Sequence, residues 1–301
     1  MESYLANTHP TNTSYTATTS RRKEQGTTLF TKLKQFFTKT PPPIAPEEEK
    51  SLRLNVAQCT DVGRRRSHNE DMMTYVIPED SEVMAKKGSL FVVADGMGGH
   101  AAGEVASELA VNIVRHVYYQ NDQQDDVDAP TALVRALKSA NTMIHQQAIE
   151  NTSYSGMGTT CVAAVLRGTT AYIANVGDSR AYIVHAGQVR QITLDHSWVA
   201  EQARAGILTE EQVHRHALRN VITRVVGRYA EVQVDLFTEQ LAEGDSLVLC
   251  SDGLSGLVSE DEILRIVEQF VPQESVQQLV ECANAHGGSD NITAIVVRLS
   301  T

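Results

Sequence analysis

The stretch that most restricts how this 301-residue chain can fold is Ser89-Leu90-Phe91-Val92-Val93-Ala94-Asp95-Gly96-Met97-Gly98-Gly99-His100. An unbroken apolar run stops at Asp-Gly, glycines follow, and a helical pattern begins near Ala101. The run predicts a buried strand that carries one carboxylate to the edge of a sheet. The glycine behind it leaves room for a ligand to approach the backbone carbonyl. One Asp-Gly pair is an ordinary turn signal, so the weight lies in repetition. Residues 246–253 again form an apolar run ending in Asp252-Gly253. Residues 172–180 place Asp178 behind a strand and Gly177, and residues 287–291 place Asp290 just before a strand over 292–299.

Elsewhere the chain reads as one globular body with a different N-terminal stretch. The first fifty residues are rich in Thr and Ser, then pass through Pro41-Pro42-Pro43 and Glu47-Glu48-Glu49. This composition predicts a disordered tail and linker over 1–50, ahead of a catalytic domain over 51–301. Within the tail, Leu29, Leu33, Phe36 and Phe37 share one face of a short helical pattern with lysines opposite. A helix of that length is marginal in water, so a solvated linker is expected in preference to contact with a membrane surface or a partner. The tail's charge is +2, which leaves the body at −13 within the overall −11. An acidic body argues against binding nucleic acid by charge.

Cys59, Cys161, Cys250 and Cys282 lie far apart without a Cys-x-x-Cys pair, and three sit in apolar patterns. Buried, reduced thiols are expected, rather than disulfides or a zinc site. No apolar run approaches the ~18 residues of a membrane span, and a signal-peptide core is missing. A cytoplasmic protein without a transmembrane segment is the expectation.

Taken in order, the body predicts strands at 52–56 and 72–77 and an amphipathic helix over 101–119, with Val105, Leu109, Ile113 and Val117 as its apolar stripe. A polar connection at 122–128 leads to a second helix in which Pro130 is an early residue. Two hairpins follow, with turns at 167–168 and 185–187. An insertion over 195–227, rich in Arg and His, holds two short helices at 198–205 and 210–216. Strands at 232–237 and 247–250, helices at 260–270 and 275–286 and a last strand close the chain. Strands arranged in hairpins with helices grouped between them give an α+β class with largely antiparallel sheets.

If Asp71, Asp95, Asp252 and Asp290 converge, their mutual repulsion is severe: about 4 kcal/mol for two carboxylates ~4 Å apart at an effective dielectric of ~20. Divalent cations or bound protons must relieve it. Oxygen-only ligands suit Mg2+ or Mn2+. Paired ions activate water and draw charge from a phosphoryl group, while a guanidinium grips its oxygens. Phosphate ester hydrolysis is the reaction that uses all of these together.

These residues resemble the metal-dependent protein phosphatases of type 2C, and the compact bacterial members most of all. The resemblance covers about residues 52–299. Its carriers are Thr60-Asp61-x-Gly63-x-x-Arg66-x-x-Asn69-Glu70-Asp71, Asp95-Gly96-Met97-Gly98-Gly99, Gly156-Met157-Gly158-Thr159-Thr160, Gly177-Asp178-Ser179-Arg180, Ser251-Asp252-Gly253-Leu254 and Asp290-Asn291. It implies a β-sandwich of two antiparallel sheets flanked by helices. It also implies a protein serine/threonine phosphatase that attacks phosphoserine and phosphothreonine with a water bridging two metals. By position, Asp95 bridges two Mn2+ or Mg2+ ions; Asp252 and Asp290 complete the first, and the Gly96 carbonyl and Asp71 the second, with Glu70 in support. Asp178 with Asp252 holds a weaker third ion. Arg66 takes the phosphate-binding role, which the charge of Arg64 and Arg65 by itself leaves open. Residues 195–227, with His196, His216 and Arg219, correspond to the flap. The implied partners are phosphorylated proteins and a cognate serine/threonine kinase, which the Thr-rich tail is expected to meet as a substrate or tether.

Two departures stand out. Met97 occupies a position where some relatives carry a proton-donating His, which leaves leaving-group protonation to a metal-bound water. In the flap, His216-Ala217-Leu218-Arg219-Asn220 lacks the proline of the family pattern, which loosens the loop. None of His68, His100, His196, His214 and His216 is assigned to metal. The rival readings are a non-catalytic signalling module, disfavoured because no metal Asp is missing, and a two-metal phosphodiesterase or nuclease, disfavoured by the acidic body and the lack of aromatic stacking platforms.

Overall fold

The computed structural model of the chain describes residues 53–98, 101–120 and 127–300. The expectations for the tail over 1–50, its helical stretch at 29–37 and most of the 122–128 connection lie outside the described residues. The strands are β1 (Arg53–Asp61), β2 (Asp71–Val76), β3 (Ser89–Met97), β4 (Gly158–Thr159), β5 (Cys161–Arg167), β6 (Thr170–Val176), β7 (Arg180–His185), β8 (Gln188–Gln191), β9 (Asp235–Gln240), β10 (Ser246–Cys250) and β11 (Ile292–Ser300). The helices are α1 (Ser81–Lys87), α2 (Ala101–Tyr119), α3 (Ala129–Glu150), α4 (Trp198–Arg204), α5 (Glu210–Arg215), α6 (Asp252–Ser255), α7 (Glu260–Gln269) and α8 (Pro272–Ala285).

All strand pairs are antiparallel, in two sheets ordered β1-β11-β10-β7-β8 and β2-β3-β5-β6-β9, with β4 attached to β3. Phe91, Val93, Val162, Ile173, Leu247, Leu249, Ile295 and Val297 fill the space between the sheets. On the outer face of one sheet, Leu90, Val92 and Ala94 pack with α2 and α3 residues such as Ala106, Ala110, Leu133 and Leu137. On the other, Val248, Cys250, Ala294 and Val296 pack with Ile263, Val267, Val276 and Leu279 of α7 and α8. Central strands are therefore covered on both faces, which is why Leu90–Ala94 reads as a continuous apolar run without alternation.

Several local readings need correction. The face of α2 turned to the core is Ala102, Ala106, Ala110, Val111, Val114 and Tyr118, while Val105, Leu109, Ile113 and Val117 are only partly buried at its margin. Small residues let α2 approach the sheet and α3 closely, so the larger side chains are displaced to the flank. The strand expected at 232–237 runs instead over Asp235–Gln240, with Val232 and Val234 packed against the helical layer in irregular backbone. The second strand of the hairpin turning at 185–187 ends at Gln191, and beyond it the Thr193 hydroxyl accepts from the Ala181 N–H in place of a backbone carbonyl. Helix α1, capped by Asp80, has no counterpart in the sequence reading; its residues carry no fully buried side chain, hence no apolar stripe to reveal it. Of the four free cysteines, only Cys161 and Cys250 are buried.

Candidate metal centre

Antiparallel pairing decides where the acids go. The start of β2 lies beside the end of β3, and Asp71 is registered opposite Asp95. The end of β10 lies beside the start of β11, which puts Asp252 and Asp290 at that same end of the sandwich. Asp178 lies in the short connection from β6 to β7, where the chain passes between sheets. Electrostatically, Asp95 feels Asp71, Asp252, Asp178 and Asp290 at once. Five acids separated by up to 219 positions in sequence, Asp71 to Asp290, thus meet at one edge.

The backbone around Asp95 is fixed by the Thr159-Thr160 pair. Its N–H donates to Thr160 Oγ1 (3.0 Å), and its carbonyl accepts from the Thr160 N–H (2.8 Å) and Thr159 Oγ1 (2.8 Å). Asp71 Oδ2 accepts from Ser251 Oγ (2.7 Å), which itself accepts from the Thr293 N–H (3.0 Å). Asn291 organises the loop before β2. Its Oδ1 accepts from the Glu70 N–H (2.8 Å), and its Nδ2 donates to the carbonyls of Val62 (3.0 Å) and His68 (2.9 Å). Gly63, at φ 81°, sits where a Cβ would lie 2.1 Å from the Asp290 carbonyl oxygen. A Cβ on Gly96 would lie 2.0 Å from the Gly103 carbonyl oxygen, so no other residue fits behind Asp95. The roles of Thr160, Ser251, Asn291 and Gly103 are not readable from spacing; a glycine inside the first turn of a helix is the one signal that marked Gly103.

Arg66 is the arginine that reaches the cluster. Its Nη2 donates to Asp290 Oδ2 (2.7 Å) and its Nη1 lies 3.7 Å from Glu70 Oε2. Arg64 instead joins the turn to Gly288 through its backbone N–H (2.7 Å). A cleft of about 290 Å3 opens from Asp178, Asp252 and Asp290 toward Val199, Val213 and Arg219 of the insertion. His216 stacks on Trp198 (centroids 4.9 Å apart) and its Nδ1 accepts from the Leu218 N–H. His196 is set apart from the other flap residues: 1% exposed, it accepts from the Gly177 N–H at Nδ1 (3.0 Å) and donates from Nε2 to Asp235 (3.1 Å). It anchors the base of the insertion to the loop that carries Asp178, and does not face the cleft.

Burial and mutual repulsion outweigh the nearby Arg66 and Arg180 in the electrostatics of the cluster. Burial, reinforced by Asp252 and Asp290, pushes Asp71 up to about 7 despite hydrogen bonds from Thr293 and Ser251. Burial with Asp252 and Asp195 pushes Asp178 up to about 8. Burial and the neighbouring acids also raise Asp95 well above the usual range, and Asp252 rises for the same reasons. Asp71 Oδ1, Asp178 Oδ1 and Asp252 Oδ1 are buried without a hydrogen-bond partner. Oxygens left this way are the donor set of a hard divalent cation, so the residues present fit Mg2+ or Mn2+.

Residues 65–293 match the sequence family described as Protein phosphatase 2C. The chain is 36% identical over 249 residues to the protein phosphatase PhpP of Streptococcus pneumoniae, covering 82% of this chain and 98% of that protein. It is 37% identical over 242 residues to the serine/threonine phosphatase stp of Listeria monocytogenes, covering 79% and 93%. Among solved structures, the serine/threonine phosphatase Stp1 of Staphylococcus aureus superposes with a TM-score of 0.75 at 36% identity, covering 83% of this chain and 96% of that one. The catalytic domain of the phosphatase PstP in complex with two manganese ions superposes with a TM-score of 0.72 at 33% identity, covering 83% and 100%.

Proposed function

Since this chain belongs to the protein phosphatase 2C family of metal-dependent serine/threonine phosphatases, we propose that its acidic edge holds two divalent cations, Mn2+ or Mg2+, and removes phosphate from phosphoserine and phosphothreonine in proteins. The enzyme is a phosphoprotein phosphatase, a phosphoric monoester hydrolase. When bound, the ions supply Lewis acidity toward the phosphoryl oxygens and a lowered pKa for the attacking water.

Asp95 would stand between the two ions. Asp252 and Asp290 would complete one set of ligands, and Asp71 with the Gly96 carbonyl the other, with Glu70 supporting that side. Asp178 together with Asp252 would hold a third, weaker ion. Arg66 grips the phosphoryl oxygens through its planar fork, and its present partner Asp290 keeps the guanidinium at the rim of the cleft. Arg219 of the flap lines the same cleft and would lie beside the substrate chain. Met97 has no proton to give, so the departing serine or threonine oxygen would take its proton from a water held at the metal centre.

The observation that carries this reading is the gathering of buried carboxylate oxygens with no internal donor at one sheet end. Phosphorylated proteins are the partners, and a cognate serine/threonine kinase supplies them. No helix among the described residues is long and apolar enough to cross a membrane, and four free thiols support a reducing, cytoplasmic setting. The test is Mn2+-dependent phosphate release from a phosphothreonine peptide, which is lost in Asp95→Ala; undiminished activity in that variant overturns the assignment.

A further inference from the structure

Between α7 and the end of α8, Glu262, Cys282 and His286 bring three different metal-binding side chains together. One ligand atom from each lies within 4.8 Å of the others. Cys282 Sγ is 3.7 Å from Glu262 Oε1, and His286 Nε2 is 3.7 Å from the same oxygen. Bond lengths of about 2.3 Å to sulfur and 2.0–2.2 Å to nitrogen and oxygen place tetrahedral ligands roughly 3.4–3.6 Å apart, so the two separations from Glu262 Oε1 need only a small contraction, while sulfur and nitrogen lie within 4.8 Å of each other. Cys282 and His286 are four residues apart across the end of α8, hence on one face.

The surroundings are arranged as outer partners of a metal site are. His286 Nδ1 lies 2.8 Å from the Leu257 carbonyl, which can only accept; the proton is therefore on Nδ1 and the Nε2 lone pair faces the other two groups. Glu262 Oε2 accepts from the Ser259 N–H and hydroxyl (both 2.9 Å), which leaves Oε1 as the oxygen for a cation. Such fixing of the distal ring nitrogen and the second carboxylate oxygen orients metal ligands in general. Burial, then Glu262, keeps the Cys282 thiol protonated in the empty site, so loading it releases one proton to solvent as the sulfur–metal bond forms.

We propose that Glu262, Cys282 and His286 form a second metal site, selective for a borderline-soft divalent ion of the Zn2+ class and separate from the all-oxygen centre. Three protein ligands leave a fourth position to water. His286 precedes Asp290 by four residues, and Leu257 follows Asp252 by five. An ion here would tie α7 to the end of α8, just ahead of Asp290, and would fix the His286 ring that already bonds the Leu257 carbonyl. The absence of any Cys-x-x-Cys pair hid this site from the sequence, because its cysteine stands alone and its partners come from another helix.

The experiment is a Co2+ titration of the full chain after chelation, under a non-thiol reductant. With Mg2+ in excess to occupy the oxygen-only centre, a sulfur-to-cobalt charge-transfer band in the near ultraviolet should appear, saturate at an intensity matching one thiolate-bound cobalt per chain, and be removed by Zn2+. The oxygen-only centre cannot produce such a band, so Asp95→Asn keeps it. Cys282→Ser loses it, and His286→Gln weakens Co2+ binding about tenfold or more, with melting curves verifying that both variants fold. Absence of the band from the unaltered protein, or its survival in Cys282→Ser, overturns the proposal. Both outcomes are independent of whether the protein hydrolyses phosphoserine.

Discussion

Asp95 shows how one side chain serves the site at the expense of stability. Its carboxylate is crowded by four others, and burial raises its pKa well above the usual range. Replacing it with Asn removes one charge from a repulsive group and keeps the side chain's shape. Asp95→Asn is therefore expected to melt no lower than the unaltered protein in chelator, while hydrolysis falls on the order of 10²–10³-fold or more; paired melting and phosphate-release assays check both. Arg66 offers a second test. Arg66→Lys keeps the charge but not the planar fork, so kcat/KM should fall about tenfold, equivalent to ~1.4 kcal/mol, and Arg66→Ala should fall further. Both acids and arginine were legible in the sequence because each sits in a recognisable motif. Thr160, Ser251 and Asn291 stood in those motifs too, but what they do depends on which backbone groups lie across the fold.

Elements, not residues, decide what the insertion and α2 do. His196 joins α4 to the loop after β6, and burial holds its imidazole below its ordinary value against the opposing bond to Asp235. A histidine depressed in the folded state gives stability that is complete above its unfolded value of about 6.5 and is lost as pH falls through it, because the unfolded chain then binds the extra proton. Denaturant unfolding between about pH 7.5 and 5.5 should show this loss, and His196→Asn, which keeps an acceptor for Gly177 and cannot titrate, should flatten it. On α2, the N-terminal part of the inward face is built on Ala102, Ala106 and Ala110. Ala106→Leu is expected to destabilise by about 1–3 kcal/mol through overpacking, measured by chemical denaturation; a neutral result would restore the stripe at 105, 109, 113 and 117 as the core face. That stripe was the natural reading of spacing, since periodicity counts large apolar residues and misses a face chosen for close approach.

At the scale of the whole molecule, the folded protein is a strained receptor for cations. The strand ends converge, the acids repel, and binding ions to the folded chain alone must stabilise it. At a free Mn2+ concentration about 100-fold above the dissociation constant, the gain is ~2.7 kcal/mol, visible as a rise in melting temperature over chelated protein that is reduced in Asp95→Asn. By itself the sequence determined the longer helices, the hairpins, many of their limits and the motif acids, because strand runs, turn pairs and caps are local and each is written in a few adjacent residues. Only the tertiary structure decided that α2 buries its small face, that His196 is an anchor and not a cleft residue, and that a lone cysteine meets a glutamate and a histidine. Those outcomes depend on which surfaces two layers press together, and that is settled by packing and charge across the whole fold rather than by any one stretch of chain.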